Sequence, residues 1–372
     1  MAAMSTAIAF TDVDRLHMQR ALALAESAIG LTEPNPRVGC VIVGPGWTAE
    51  GHTQPAGQPH AEPMALRAAS AAGRDVRGAT AYVTLEPCAH HGRTPPCCDA
   101  LVAAGLGRVV VALVDPNPLV GGEGLRRLRA AGIRVDVGLC EDAALELNIG
   151  FLQRMRSGRP FVRLKVAASL DGRTALDDGR SQWITGPMAR ADGHAYRRRA
   201  GAVLTGIGTV LADDPRLDVR EVPTPRQPLR VLLDARLQLP LAARIAEPPG
   251  ELLICTANAD SPAADAWRER GVRVQALPCP DGRLELTAVL QMLGEHGVNE
   301  LHVEAGPRLN ADWLQQGLVD ELLLYQAPMF IGVGRPIAEF LPLEQLADAA
   351  RWRYVEQTRI GDDLRLRLRP RA

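Results

Sequence analysis

Two short stretches of the first hundred residues supply metal-binding side chains at spacings that could support hydrolytic chemistry. The first, PHAE, contains His60 and Glu62, and the second, EPCAHHGRTPPC, contains Cys88 and Cys97. One imidazole nitrogen and two thiolates bind zinc well and leave a fourth position for water, which zinc makes acidic enough to act as a nucleophile. A nearby carboxylate is then needed to carry protons. We therefore predict one zinc ion per chain, bound by His60, Cys88 and Cys97, with Glu62 as the proton carrier.

The same ligands define the signature of hydrolytic zinc deaminases, H-x-E followed by P-C-x-x-C. HAE and EPC fit this signature, but AHHGRTPP separates the two cysteines, so the second follows nine residues after the first instead of three. The alternative is a closed structural zinc site in which His90 or His91 is the fourth ligand. Structural sites usually contain cysteine pairs separated by two to four residues. No such pair occurs in this sequence, which favours a catalytic site.

The predicted secondary structure places these residues at the ends of helices and strands. From residue 12 to 139, patterns typical of amphipathic helices and of buried strands alternate, which predicts a largely parallel sheet with helices packed on it. His60 and Cys97 each open a predicted helix, and Cys88 follows a predicted strand. The positive N-terminus of a helix would favour the thiolate form of Cys97.

A second α/β unit is predicted after the SGRP junction at residues 157–160. Strands and helices alternate again beyond it, so we expect two domains, residues 12–157 and 158–372. GIGTVL follows a strand but lacks the third glycine of a dinucleotide-binding fingerprint. TGIGT and VEAGPRLN each join a strand to a helix, where backbone N–H groups can bind phosphate. The local pattern alone does not distinguish a phosphate site from a plain strand-to-helix turn.

Composition argues against several classes of function. The formal net charge of the 372 residues is -1 and no long basic run occurs, which argues against binding to duplex nucleic acid. No apolar run approaches the roughly 18 residues that a membrane span needs. Seven scattered cysteines do not suggest a disulfide framework, so a reducing, cytoplasmic location is expected.

Longer stretches around these motifs resemble one known family. In the first half they read PNPRVGCVIV, TAYVTLEPCAHHGRTPPCCDALVAAG and DPNP, and in the second KVAASLDGRTA, SQWITG, GTVLADDPRL and VEAGPRLNADWLQQGLVDEL. From about residue 12 onward the chain closely resembles the bifunctional riboflavin-biosynthesis deaminase/reductases. The resemblance implies an α/β fold with an N-terminal cytidine-deaminase-like three-layer domain and a C-terminal dihydrofolate-reductase-like domain.

The resemblance also implies two consecutive reactions of riboflavin biosynthesis. The first is zinc-dependent deamination of 2,5-diamino-6-(ribosylamino)-4(3H)-pyrimidinone 5′-phosphate. The second is NADPH-dependent reduction of the ribosyl group of 5-amino-6-(5-phosphoribosylamino)uracil to ribityl. A small phosphorylated pyrimidine is then the partner, and a homo-oligomer, dimer or larger, is expected. The alternative is a nucleoside or tRNA deaminase with a non-catalytic nucleotide-binding C-terminal domain, which the near-neutral charge and the intact cofactor motifs disfavour.

The same resemblance implies residue roles in the reductase half. The cofactor positions of the family correspond to Ala167, Trp183, Thr209, Asp213, Gly306, Pro307, Arg308, Leu309, Asn310, Ala311 and Asp312. The substrate positions correspond to Ser181, Arg197, Leu217, Arg220 and Glu304. Arg197 and Arg220 could bind a ribose phosphate through charge-assisted hydrogen bonds, and Trp183 offers a flat apolar face to the nicotinamide. Lys165, on a predicted strand, could orient a substrate hydroxyl.

Overall fold

The structure is a computed structural model that describes residues 10–90, 95–117, 121–247 and 249–371. The chain divides into two compact units, one ending at Ser157 and the other beginning at Gly158. Both units are mixed α/β, as the resemblance predicts. Within the described ranges, no helix is long and apolar enough to cross a membrane.

The first unit contains a five-stranded sheet and six helices within its described residues. In chain order the elements are α1 (Asp12–Glu26), β1 (Gly39–Gly44), β2 (Trp47–His52), α2 (Ala61–Ala71), β3 (Thr80–Val83), α3 (Cys97–Ala103), β4 (Arg108–Val111), α4 (Glu123–Ala130), β5 (Arg134–Val137), α5 (Glu141–Leu147) and α6 (Ile149–Ser157). The strand order is β2-β1-β3-β4-β5.

The prediction of a largely parallel sheet is only half right. Strands β3, β4 and β5 are parallel, but β1 is antiparallel to both of its neighbours. Strand β2, which was not predicted, follows β1 after a two-residue turn that includes Gly46 at φ 74°. So short a connection can only produce a hairpin, and a hairpin is antiparallel.

Helices cover both faces of this sheet because two glycines allow close packing. A Cβ on Gly39 would lie 1.9 Å from the carbonyl oxygen of Ala21 in α1, and one on Gly51 would lie 2.4 Å from that of Ala61 in α2. Gly51 pairs with Cys40 across the hairpin, so it faces the same side as Cys40 and the opposite side from Gly39. Helices α1 and α2 therefore lie on opposite faces, in the predicted three-layer arrangement.

The second unit is built on a nine-stranded sheet. Its elements are β6 (Phe161–Ser169), β7 (Arg173–Leu176), α7 (Pro187–Arg199), β8 (Ala202–Gly206), α8 (Ile207–Asp213), β9 (Leu229–Leu233), β10 (Leu252–Thr256), α9 (Pro262–Glu269), β11 (Arg273–Ala276), α10 (Leu286–Glu295), β12 (Glu300–Val303), α11 (Pro307–Gln315), β13 (Glu321–Ala327), β14 (Gly334–Pro336), β15 (Trp352–Ile360) and β16 (Asp363–Pro370). The strand order is β11-β10-β9-β8-β12-β6-β13-β16-β15, while β7 and β14 form a separate ribbon.

The central strands of this sheet are parallel, and the connections reverse direction between β8 and β12. The chain leaves β8 through α8 and returns on one side at β9, whereas it leaves β12 through α11 and returns on the other side at β13. Such a reversal opens a crevice at the carboxyl ends of the strands, which is where open α/β sheets bind their ligands. The fold therefore points to the edge formed by the ends of β9, β8, β12 and β6.

Candidate active sites

Three potential metal ligands converge in the first unit. Nδ1 of His60 lies 3.7 Å from Sγ of Cys88 and 3.3 Å from Sγ of Cys97, and the three ligand atoms all lie within 4.8 Å of one another. Ligands of a tetrahedral zinc ion, at bond lengths of about 2.0–2.3 Å, are separated by about 3.6 Å. The observed spacing and the nitrogen and sulfur chemistry of the donors therefore fit zinc.

The ends of two helices place these donors. His60 is the N-cap residue of α2 and Cys97 is the first residue of α3. Cys88 lies in the segment that follows β3, and the first turn of α3 wraps around it: the backbone N–H of Cys97 donates to its Sγ at 3.3 Å, and that of Cys98 to its carbonyl oxygen at 3.2 Å. Sequence patterns predicted both helix starts.

The helix α3 acts on a different thiol from the one that was predicted. Its first N–H group points at Cys88, and hydrogen bonding from Cys97 and from His60 lowers the pKa of the Cys88 thiol. A hydrogen bond between the Cys97 and Cys88 side chains, together with burial, raises the pKa of the Cys97 thiol. The N-terminus of α3 thus donates its first N–H group to Cys88, whereas the sequence predicted that it would act on Cys97.

Glu62 lies in the first turn of α2, beside the three donors. Its side chain is buried, and it is not one of the three grouped ligand residues. Burial, followed by the charge of the Cys88 thiolate, raises the pKa of Glu62 to about 7, and its carboxyl shares a hydrogen bond with Cys97. A carboxyl with such a pKa can both take up and release a proton near neutral pH.

The alternative with a histidine as fourth ligand gains no support from the described residues. His90 is exposed and does not belong to the ligand group, and His91 lies outside the described residues. Sequence reasoning missed Glu86, a buried carboxylate that accepts hydrogen bonds from the backbone N–H groups of Asp115, Gly122 and Leu125. The sequence did contain an indication of its role, because Glu86 is an acidic residue in an otherwise apolar stretch, two positions before Cys88.

A cavity of about 1210 Å³ lies in the second unit at the carboxyl ends of β6, β8, β9 and β12. Its wall contains every predicted cofactor and substrate residue except one. The residues present are Lys165, Ala167, Ser181, Trp183, Arg197, Thr209, Asp213, Leu217, Arg220, Glu304, Gly306, Pro307, Arg308, Leu309, Asn310 and Asp312. The exception, Ala311, is buried within α11 and does not contribute to the described wall.

A charged cluster occupies one end of this cavity. The guanidinium of Arg197 donates to both carboxylate oxygens of Glu304, at 2.5 and 2.9 Å, and to the carbonyl oxygen of Asp218. Nζ of Lys165 lies 3.9 Å from Glu304. Burial would raise the pKa of Glu304, but the charges of Arg197 and Lys165 hold it well below its usual range. Arg197 thus holds Glu304 ionised, while Arg220, whose side chain is 46% exposed, is more accessible to a phosphate.

Two helices begin side by side at the middle of the cavity. A Cβ on Gly206 would lie 3.0 Å from Leu309, and one on Gly306 would lie 3.7 Å from Oγ1 of Thr209. Gly306 is the N-cap residue of α11, whose free N–H groups can bind phosphate. Trp183, 63% exposed, lies in the wall with the guanidinium carbon of Arg190 4.5 Å from its ring centroid. The N-terminus of α11 and the exposed indole of Trp183 fit the phosphates and the nicotinamide of a dinucleotide.

Each half of the chain matches a known protein family. Residues 11–113 match the family described as the cytidine and deoxycytidylate deaminase zinc-binding region. Residues 160–366 match the family described as the RibD C-terminal domain. The two matched segments lie in the units that contain the ligand cluster and the cavity, respectively.

Comparison with individual proteins extends the match over nearly the full length. The riboflavin biosynthesis protein RibD of Escherichia coli is 48% identical over 369 residues, covering 95% of this chain and 99% of the relative, and that of Aquifex aeolicus is 42% identical, covering 95% and 97%. A solved structure of Acinetobacter baumannii RibD has a TM-score of 0.87 and 44% identity, covering 96% of this chain and 99% of that one. A Thermotoga maritima structure, titled a diaminohydroxyphosphoribosylaminopyrimidine deaminase/5-amino-6-(5-phosphoribosylamino)uracil reductase, has a TM-score of 0.86 and 33% identity, covering 96% and 99%. The chain therefore belongs to the RibD family of riboflavin biosynthesis, in which a zinc-binding deaminase domain and a reductase domain share one polypeptide.

Proposed function

We propose that the first unit deaminates 2,5-diamino-6-(ribosylamino)-4(3H)-pyrimidinone 5′-phosphate and that His60, Cys88 and Cys97 hold the zinc ion. One observation carries this proposal: three donor atoms converge within 4.8 Å beside the buried carboxyl of Glu62. The Thermotoga relative, whose title names the corresponding deaminase activity, supports the choice of substrate.

Glu62 moves the protons in this reaction. A zinc ion held by His60, Cys88 and Cys97 would make a bound water molecule acidic enough to lose a proton near neutral pH. Glu62 would accept that proton and deliver it to the ring nitrogen as the water oxygen adds to the carbon bearing the amino group; it would then take the second proton of the same oxygen and pass it to the departing amine. Ammonia leaves and a carbonyl remains. A pKa of about 7 suits a group that must accept and donate in one cycle.

The second unit would reduce 5-amino-6-(5-phosphoribosylamino)uracil with NADPH, which supplies a hydride. The acceptor would be the C1 carbon of the sugar in its ring-opened imine form; the hydride adds at C1, a proton adds at the imine nitrogen, and the product carries an open ribityl chain. Trp183 would present its exposed face to the nicotinamide. Glu304, held by Arg197, and Lys165 would orient the sugar hydroxyls, and Arg220 would bind the phosphate. Exact positioning and exclusion of water are the protein's contribution to such a step.

A direct test separates the two halves of the proposal. The purified protein should release ammonia from the diaminopyrimidine and should oxidise NADPH with the deaminated pyrimidine. Cys97→Ser should lose most of its zinc by metal analysis, whereas His90→Ala should keep it. The reverse pattern would make the ligand assignment wrong, and failure to oxidise NADPH with the deaminated substrate would remove the reductase proposal.

We also infer that residues 12–157 form the deaminase domain and residues 158–372 the reductase domain. The division of the chain into compact units after Ser157 supports these bounds. A cytoplasmic location is supported by the seven cysteines, none of which is paired in a disulfide, as expected in a reducing compartment. Expression of the fragment from Gly158 onward should yield a folded protein that binds NADPH, as monitored by fluorescence.

A homo-oligomer is the expected assembly. Several large apolar side chains of the second unit are exposed in the single chain, including Phe330 at 76%, Val333 at 79%, Leu341 at 77% and Leu346 at 81%. Exposed apolar surface of this kind commonly marks a protein interface. Sedimentation equilibrium should report a dimer or larger species, and the double variant Phe330→Ser/Val333→Ser should shift it toward the monomer.

A further inference from the structure

We propose that Arg283 selects NADPH over NADH by binding the 2′-phosphate of the adenosine. The proposal rests on the reductase activity proposed above. It concerns the end of the cavity that lies away from Glu304, and it assigns a role to a residue outside every motif recognised in the sequence.

The register of the sheet sets the direction of the bound dinucleotide. Lys165 on β6 is level with Glu304, the residue that follows β12, and Leu233 ends β9 on the same edge of the sheet. Strands β9 and β6 are separated by β8 and β12, and three strand spacings correspond to about 14 Å. A cofactor whose nicotinamide reaches Lys165 and Glu304 must therefore extend its adenosine toward β9.

The wall at the β9 end is apolar. It is formed by Leu233 and Ala235, at the end of β9, and by Leu284 and Leu286, at the start of α10. Leu233, Leu284 and Leu286 are 7%, 8% and 3% exposed. Such a lining suits the flat face of an adenine base and contrasts with the charged cluster at the other end of the cavity.

Arg283 lies at the rim of this apolar wall. It directly precedes Leu284, lines the cavity, and its side chain is 73% exposed. Its Nη1 donates to Oδ1 of Asp312 on α11 at 2.6 Å. An ion pair this exposed contributes little to stability, so the guanidinium can turn to a phosphate dianion, which it binds through two parallel hydrogen bonds.

Because Arg283 is paired with the carboxylate of Asp312, it can discriminate between NADPH and NADH, and not only add positive charge. With Arg283 absent, the carboxylate of Asp312 would repel a 2′-phosphate and could accept a hydrogen bond from the 2′-hydroxyl of NADH. Arg283→Gln should therefore weaken binding of the phosphorylated adenosine and leave binding of the unphosphorylated one unchanged or improved. Loss of a charge-assisted contact of this kind corresponds to roughly a 10- to 100-fold loss of affinity.

The test uses two nucleotides that differ only in the 2′-phosphate. Adenosine 2′,5′-bisphosphate and adenosine 5′-monophosphate are titrated into the full-length protein by calorimetry, and the ratio of their dissociation constants is compared between variants. We expect Arg283→Gln to reduce the preference for the bisphosphate by that factor and Arg283→Lys to retain part of it. Arg268→Gln is the matched control, because Arg268 forms a similar exposed ion pair, with Asp265 at 2.9 Å, outside the cavity wall.

An unchanged ratio in Arg283→Gln would overturn the assignment. So would loss of the preference in Arg244→Gln alone, because Arg244 is another exposed arginine that lines the same cavity. These results differ from failure of the proposed function itself: a parent protein that binds neither NADPH nor the bisphosphate would refute the reductase proposal. A parent that binds NADPH, with an unaltered ratio in Arg283→Gln, would refute only the role of Arg283.

Discussion

Substituting Gly124 with alanine tests whether helix α4 holds the Cys88 segment in position. Gly124 is the second residue of α4, and a Cβ there would lie 2.0 Å from the carbonyl oxygen of Pro87 and 3.2 Å from Oε1 of Glu86. The carboxylate of Glu86 accepts hydrogen bonds from the N–H groups of Gly122 and Leu125 at 3.0 and 3.3 Å. The first turn of α4 therefore both touches and is hydrogen-bonded to the segment that carries a predicted zinc ligand.

The distances set the size of the effect. Ordinary van der Waals contact of a Cβ begins at 3.4 Å, so the helix or the ligand segment must move by about 1.4 Å, the difference from 2.0 Å. The two hydrogen bonds to Glu86 would then stretch beyond useful length. Overpacking of this kind destabilises a fold by about 1–3 kcal/mol. Disturbing the groups that orient a metal ligand lowers metal affinity by about 10- to 100-fold.

Zinc affinity is measured by competition with a chromophoric chelator, and stability by thermal unfolding of the same samples. The control is Gly193→Ala, because Gly193 lies within helix α7 and a Cβ there would meet no atom within 4 Å. Alanine in a helix interior should be neutral or stabilise by up to about 1 kcal/mol. The reductase activity of Gly124→Ala should persist while the protein is folded. Parent-like zinc affinity and parent-like unfolding in Gly124→Ala would refute the reasoning.

Three further outcomes are expected. Glu62→Gln should lower the deamination rate by about 10²–10⁴ with zinc content and reduction of the deaminated substrate unchanged, and loss of both activities in a folded variant would contradict two separate sites. Glu304→Gln should spare deamination and weaken reduction, because a neutral amide cannot pair with Arg197 as the carboxylate does; parent-level reduction kinetics would count against that role. Burial, helped by nearby arginines, lowers the pKa of His194 to about 4, below its ordinary value of about 6.5, so between these values the unfolded chain binds the extra proton. This contribution to the free energy of unfolding is present above about pH 6.5 and is lost as pH falls toward 4, by about 1–3 kcal/mol once solvent screening is allowed for. In denaturant titrations at several pH values, His194→Gln should reduce the slope of the unfolding free energy with pH. An unaltered slope would show that burial of His194 does not shift its pKa.

Local patterns determined the elements whose signals are complete within a few residues. The helices that begin at Ala61, with His60 as N-cap residue, and at Cys97 start where the sequence predicted, because helix-start signals act over short distances. The hairpin of β15 and β16 was missed although DLRLRLRP alternates apolar and charged residues with the two-residue period of a strand. The alternation was present in the sequence, but an arginine at every second position resembles a solvent-exposed segment. In the structure these arginines instead pair with acidic residues of neighbouring strands, such as Glu321 and Glu356.

The candidate zinc donors and the candidate proton carrier could be proposed from the sequence, because ligand type and helix starts are local properties, and the three candidate donors lie close together in the structure. Tertiary structure alone decided which thiol receives the N–H of α3, that Ala311 is buried away from the cavity, and that Glu86 joins the ligand segment to α4. It also brought Arg283 to Asp312, 29 residues further along the chain, at the end of the cavity opposite Glu304. Those relations depend on how strands are ordered and how closely helices approach them, and no window of sequence contains both partners.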